Sequence, residues 1–181
     1  MAVIRISGNH GAGKTTLGKH LAEHLGYKYH NTGHTFRRLA KEHGQTIEEF
    51  YASLEKNLDF EKQIAFADAD LMKTTDNLVI DSRTMHLHET PFKVVNILLT
   101  VDPEVGAKRM HLKDPDKYPT TETALKLSRE RFAQEFQRYS DRYGVTDFLD
   151  PKYFDIVLNT NLLSEEEVFQ KVLEKIQPFL K

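Results

Sequence analysis

The sequence predicts an α/β fold: a parallel sheet of about five strands with helices on both faces. Three observations carry this. Short β-branched apolar runs alternate with helical stretches along the chain, the pattern of strands joined by crossover helices. The stretch "GNHGAGKTT", Gly8–Thr16, matches G-x-x-x-x-G-K-[ST] and lies between a strand-like run and a helical one, the context that motif requires. The length, 181 residues with 39% hydrophobic and 29% charged, suits one domain with a buried core. Together they specify a P-loop NTPase fold over 1–181 as a single unit.

Each element has its own warrant. "AVIRIS" is a buried strand candidate. "KTTLGKHLAEHLG" places Leu17, Leu21, Ala22 and Leu25 at helical spacing and stops at Gly26. "YKYHN" reads as a second strand, and "TGHTFRRLAKEHG" as a helix ending at Gly44. Thr46 with Glu49 forms a capping box that opens "IEEFYASLEKN". "FEKQIAFADADLMK" is helical and leads into the strand "NLVID". "FKVVNILLTV", the most continuous apolar run, reads as a central strand. Asp102 and Pro103 then supply the N-cap and first residue of a helix. "LKDPDKYPTT" is a polar loop, and an amphipathic helix follows from about Thr121 to Tyr143, stopping at Gly144. "FDIVLNT" is the last strand. Ser164 with Glu167 caps a final helix carrying Val168, Val172, Leu173, Ile176 and Phe179 on one side.

A net charge of -2 gives no general attraction to polyanions, so nucleic acid is not expected as a partner. The absence of Cys excludes disulfides and thiolate metal sites. No apolar run has the length needed to cross a bilayer, and the chain opens on a strand and not on a leader. A cytoplasmic protein without a membrane partner is expected.

In the motif, glycines let the backbone wrap phosphates and aim its N–H groups inward, and the following helix N-terminus adds a partial positive charge. Gly8, Asn9, His10, Gly11, Ala12, Gly13, Lys14, Thr15 and Thr16 are therefore the expected ATP-binding residues. Lys14 would reach the β- and γ-phosphates and the Thr15 hydroxyl would hold Mg²⁺. Asp81, at the end of "NLVID", would share the metal. The His10 side chain is expected to point away. His86 and His88 lack an evident third ligand and are not expected to bind zinc.

The acceptor is read from arginines. Arg37 follows the second strand and Arg83 lies two residues beyond Asp81; a planar guanidinium at each place suits a second phosphate group. On the long helix, Arg131, Arg138 and Arg142 fall within about 20° of one line, with Glu135 about 40° away. The apolar stripe of Leu125, Phe132, Phe136, Tyr139 and Tyr143 lies about 80–140° round, beside them. Arginines in one row repel unless an anion sits against them; Glu130, Glu135 and Asp141 on an exposed face are the alternative balance. Arg129 lies off the row and is expected in solvent. The loop and helix from about 111 to 131 resemble a mobile lid that brings arginines in and excludes water.

These residues resemble the nucleoside monophosphate kinases, and among them the cytidylate kinases of the short archaeal type. The resemblance spans nearly the whole chain and rests on "ISGNHGAGKTT", "TGHTFRRLA", "VIDSR", "RERFAQEFQRY" followed by "YGV", and "YFDIVLNT". The Arg131, Glu135, Arg138 spacing looks like the R-x-x-x-[DE]-x-x-R of that family. It implies an acceptor-binding helical region at about 33–73. It also implies that Arg37 and Arg83 bind the acceptor phosphate and that Arg131 and Arg138 bridge donor and acceptor phosphates. Lys14, Arg83, Arg131 and Arg138 would be catalytic. Glu135 would touch the acceptor's sugar, while Thr32 and Asp59 would sit where the family contacts the pyrimidine. Two departures stand out: "SRTMHLHE" replaces the family's "GRLAG"-like stretch, and Lys113 stands where an arginine is frequent. The expected reaction is phosphoryl transfer from MgATP to CMP or dCMP by a monomer. Kinases of AMP, UMP or a non-nucleotide metabolite, and a regulatory ATP binder, remain open at this point.

Overall fold

The computed structural model of the protein describes residues 2–56 and 68–180. β1 (Ala2–Gly8) is buried along its whole length, as a β-branched run must be when covered on both faces. It pairs in parallel with β3 (Leu78–Asp81) on one side and β4 (Lys93–Thr100) on the other, Ile4 meeting Val79 and Val95. β2 (Lys28–Asn31) adds outside β3, and β5 (Ile156–Asn159) outside β4. The sheet is therefore all parallel with order β2-β3-β1-β4-β5. The five strands are those that the sequence predicts, four from apolar runs and β2 from the polar "YKYHN". The chain leaves β1 towards β2 and leaves β4 towards β5, so a crevice opens at the carboxyl ends of the central strands.

The helix ends follow local chemistry. α1 (Lys14–Leu25) stops at Gly26, whose φ of 67° lets its N–H reach the carbonyls of Ala22 and Glu23. α2 (Thr32–Glu42) is capped by Asn31, whose side-chain oxygen accepts from the His34 N–H at 2.6 Å. α3 (Ile47–Lys56) opens on the expected capping box: Glu49 N–H donates to Thr46 Oγ1, and Thr46 N–H to a Glu49 carboxylate oxygen. A helical stretch, α4, is described over 68–74. α5 (Pro103–Lys113) has Pro103 in its first turn, yet the Asp102 carboxylate makes no capping bond. Instead the Asp102 N–H donates to Asn161 Oδ1 at 2.8 Å, tying the helix start to the segment after β5. α6 (Thr121–Tyr143) runs from the Thr120 cap to Gly144, as the sequence predicts. α7 (Glu165–Leu180) opens on the Ser164–Glu167 box.

Two faces of the sheet are covered. On one, α1 and α7 pack Leu17, Leu21, Val172 and Ile176 onto Ile4, Ile6, Ile97 and Leu99. On the other, Leu98 meets Phe148 with Phe132, Phe136 and Tyr139 of α6. Val3, Leu78 and Ile80 on that sheet pack with Met72 of α4. Each fully buried aliphatic side chain contributes roughly 1.5–3 kcal/mol, which fixes the sheet as the platform for the loops at its carboxyl edge. α2 and α3 form a smaller cluster through Phe36, Ala40, Phe50 and Tyr51. Among the described residues no helix is long and apolar enough to cross a membrane.

Candidate active site

The loop after β1 is shaped by close approach. A Cβ at Gly8 would lie 2.0 Å from the Leu99 carbonyl oxygen, and one at Gly11 2.4 Å from that of Gly106 on α5. Both positions, with Gly13, have φ between 74° and 147°. Glycine is the residue that meets both demands. Lys14 Nζ donates to the carbonyls of Gly8 and Asn9, at 2.8 and 2.7 Å, and so lies across the loop. Burial pushes its ammonium down to about 7, the Arg83 and Arg131 cations adding to this and Asp81 opposing it.

Asp81 ends β3 buried beneath the loop, and Thr15 Oγ1 donates to its Oδ2 at 2.8 Å. The same oxygen accepts from Asn31 Nδ2 at 2.5 Å and from the Tyr29 hydroxyl at 3.3 Å. Burial and the Asp81 charge push the Tyr29 phenol up to about 12, so it remains a donor. A hydroxyl and a carboxylate side by side form the hard oxygen donor set that suits Mg²⁺. Tyr29 and Asn31 are absent from the sequence expectation. Strand register was the available signal, because Asn31 is the pairing partner of Asp81 across β2 and β3.

The buried Glu135 carboxylate of α6 pairs with Arg83, and Arg131 Nε donates to its Oε1 at 3.0 Å. Burial and the Arg131 cation push Arg83 down to about 10. The anion balancing this part of the arginine row is therefore Glu135. Glu130 faces Lys126, and Asp141 accepts from Gln137, both in solvent. The Arg138 guanidinium lies 4.7 Å from the Tyr51 ring centre and 5.1 Å from that of Tyr139. Arg131 lies 5.8 Å from the Tyr51 ring. Arg129 pairs with Glu104 on the surface. The Arg142 side chain and all of Asp59 lie outside the described residues.

His10 differs from expectation. Its side chain turns inward, with Nε2 4.0 Å from Glu135 Oε1. Burial, then Arg83, Arg131 and Lys14, hold it far below the usual imidazole range. A neutral His10 thus packs against the cation cluster without adding charge. His86 is a packing residue, with its ring against Phe154 and Tyr153 and its pKa pushed down to about 4 by burial.

Two cavities meet at the loop. The larger, about 630 Å³, runs from Gly11–Thr16 along Arg109, Met110 and Lys113 to Leu163–Glu165. The smaller, about 220 Å³, is lined by Lys14, Thr32, Arg37, Asp68, Arg83 and Arg131, among others. Gly11, Lys14, Thr15 and Met110 line both. The structure therefore brings Lys14, Thr15, Thr32, Arg37, Asp81, Arg83, Arg131 and Glu135 to one place. Arg138 joins them through Tyr51.

The model of the cytidylate kinase-like family matches residues 3–162. The chain belongs to that family. Among its cytidylate kinase-like relatives, the cytidylate kinase of Sulfurisphaera tokodaii is 30% identical over 179 residues, covering 98% of this chain and 96% of its own. The cytidylate kinase of Methanopyrus kandleri is 32% identical over 187 residues, covering 98% and 94%. Shikimate kinase from Acinetobacter baumannii in complex with shikimate superposes with a TM-score of 0.61 at 20% identity, over 97% of this chain and 93% of that one. That last likeness shows the fold, an α/β architecture with a parallel sheet between helices. A cytidylate kinase-like chain thus has its glycine loop, Asp81 and the Arg83–Glu135–Arg131 cluster around two joined cavities.

Proposed function

We propose that the protein transfers the γ-phosphoryl group of ATP to the phosphate of a nucleoside monophosphate, CMP or dCMP, giving ADP and the diphosphate. One observation supports this above the rest. The smaller cavity gathers Lys14, Arg37, Arg83 and Arg131 beside the phosphate loop, so a second anion can lie against the first. A protein that only bound ATP would have no use for such a pocket.

In this reading ATP occupies the larger cavity with its phosphates in the loop Gly8–Thr16, and the acceptor phosphate meets Arg37 and Arg83. An acceptor phosphate oxygen attacks the γ-phosphorus as the bond to the β,γ-bridging oxygen breaks, and ADP leaves. Thr15 and Asp81 would hold Mg²⁺, which would supply positive charge to offset the charge that develops on the transferring group. Lys14, Arg83, Arg131 and Arg138 position and neutralise the migrating group, with no covalent enzyme intermediate. The described helices α2, α3 and α4, within about 33–73, hold the acceptor, and 111–131 act as a lid within one unit. A monomer in the cytoplasm, with neither nucleic acid nor membrane as partner, completes the proposal.

A coupled ADP-release assay at fixed MgATP, with CMP, dCMP, UMP, AMP and shikimate as acceptors, tests it. CMP or dCMP should give the highest kcat/KM. ATP consumption independent of every acceptor would leave only an ATP binder.

A further inference from the structure

The smaller cavity contains a buried carboxylate that the phosphate chemistry does not use. Asp68 of α4 is 3% exposed and lines the cavity. Its Oδ1 lies 2.7 Å from His30 Nε2, and its Oδ2 accepts from the Thr32 hydroxyl at 2.6 Å. A carboxylate repels phosphate, so this part of the lining suits the uncharged end of the acceptor. Phe36 and Tyr51 line the same cavity and add apolar surface to it.

The direction of the Thr32 bond has a chemical consequence. A carboxylate only accepts, so the single Thr32 proton is committed to Asp68 and the hydroxyl presents only lone pairs to the cavity. His30 Nε2 donates to the other oxygen, which holds the carboxylate in that orientation. A lone pair at this place accepts from an exocyclic amino group and repels a carbonyl.

We infer that Asp68 is a positioning residue that fixes Thr32 as a hydrogen-bond acceptor, and so selects a 4-amino pyrimidine over a 4-oxo one. This rests on the nucleoside monophosphate kinase reading. A buried polar group matched to one partner and unmatched to its analogue discriminates strongly, because the mismatch leaves both groups unpaired.

The test is the ratio of kcat/KM for CMP to that for UMP in wild type, Asp68→Ala, Thr32→Val and Thr32→Ser, with ATP affinity and Tm measured alongside. The wild type should favour CMP. Asp68→Ala frees the hydroxyl proton to face a carbonyl, and Thr32→Val removes the acceptor at nearly constant shape. Each should collapse the ratio roughly 10-fold or more while ATP affinity stays the same. Thr32→Ser should keep the preference. Should Asp68→Ala fail to fold, Thr32→Val still decides. An unchanged ratio in a folded Thr32→Val protein overturns the inference and leaves the kinase reading standing; a wild type indifferent between CMP and UMP overturns both the inference and the cytosine preference, and leaves only phosphoryl transfer to a nucleoside monophosphate. A wild type that phosphorylates no nucleotide removes the kinase reading itself.

Discussion

Lys14 experiences opposed forces. Its ammonium must meet polyphosphate, yet burial beside Arg83 and Arg131 lowers it from 10.5 to about 7. Between those values the folded chain binds fewer protons at this group than the unfolded chain. Its contribution to stability therefore rises with pH across that window, and the cost is fully present below about 7. A triphosphate in the loop favours the charged form and draws the proton back. ATP binding at pH 8 should thus take up close to one proton, and affinity should fall as pH rises from 7 to 9. Calorimetry in buffers of different ionisation enthalpy reads this directly; no uptake would mean that Lys14 is already fully charged. Arg131 makes a different prediction. It is half-buried and shares Glu135 with Arg83. Arg131→Ala should leave ATP affinity nearly intact and lower turnover by roughly 10³-fold, the scale of arginines that act on the transferring group. Lys14→Ala should abolish transfer to any acceptor. Turnover unchanged in Arg131→Ala, in single-turnover kinetics, would return that arginine to a structural role.

At the scale of the element, α5 packs on the phosphate loop through one glycine. A Cβ on Gly106 would lie 2.6 Å from the His10 carbonyl oxygen and 3.2 Å from Val101. Gly106 lies inside a helix, where alanine is intrinsically better by about 1 kcal/mol. The backbone clash wins, since a carbonyl in a tight loop cannot retreat as a flexible side chain can. Gly106→Ala should leave far-ultraviolet dichroism unchanged and raise the KM for ATP about 10-fold or more by displacing His10 and Gly11; an unchanged KM would show that the loop shifts freely. Element boundaries were legible because local chemistry sets them: Gly26, Gly144 and both capping boxes act within one turn. The Asn161 oxygen that holds the Asp102 N–H was not legible, because it is distant in sequence. The site divides similarly. The loop and Asp81 follow from a local motif and a strand end. Tyr29 and Asn31 bond Asp81 through β2–β3 register. Asp68 depends on α4 packing beside β2, which no periodicity encodes. The inward turn of His10 towards Glu135 is a fact of tertiary packing that the loop motif does not encode.

For the whole molecule, one hairpin roofs both cavities. Met110 and Lys113 of α5 line the larger, while Arg131, Glu135 and Tyr139 of α6 line the smaller, and residues 114–120 join the two helices. α5 and α6 pack along each other, so a displacement of one carries the other. Under the proposed lid role, closing over ATP alone would fix only one support of the hairpin, and closing over the acceptor alone would fix the other. Leu112, 69% accessible at the edge of the larger cavity, would gain burial if that edge closed. Coupling of this kind makes the two ligands cooperative, since the second meets a segment whose ordering the first has already met in part. Limited trypsin digestion reads the hairpin at Lys113 and Lys117, which are both exposed and flank the turn. Cleavage there should slow modestly with ATP or with CMP, and by about 10-fold or more with a bisubstrate that joins the two nucleosides through a phosphate chain. That gain should exceed the product of the separate effects, because cleavage tracks the open population when opening is fast. Protection by the bisubstrate no greater than that by ATP would show that α6 does not travel with α5, and the two cavities would then close independently.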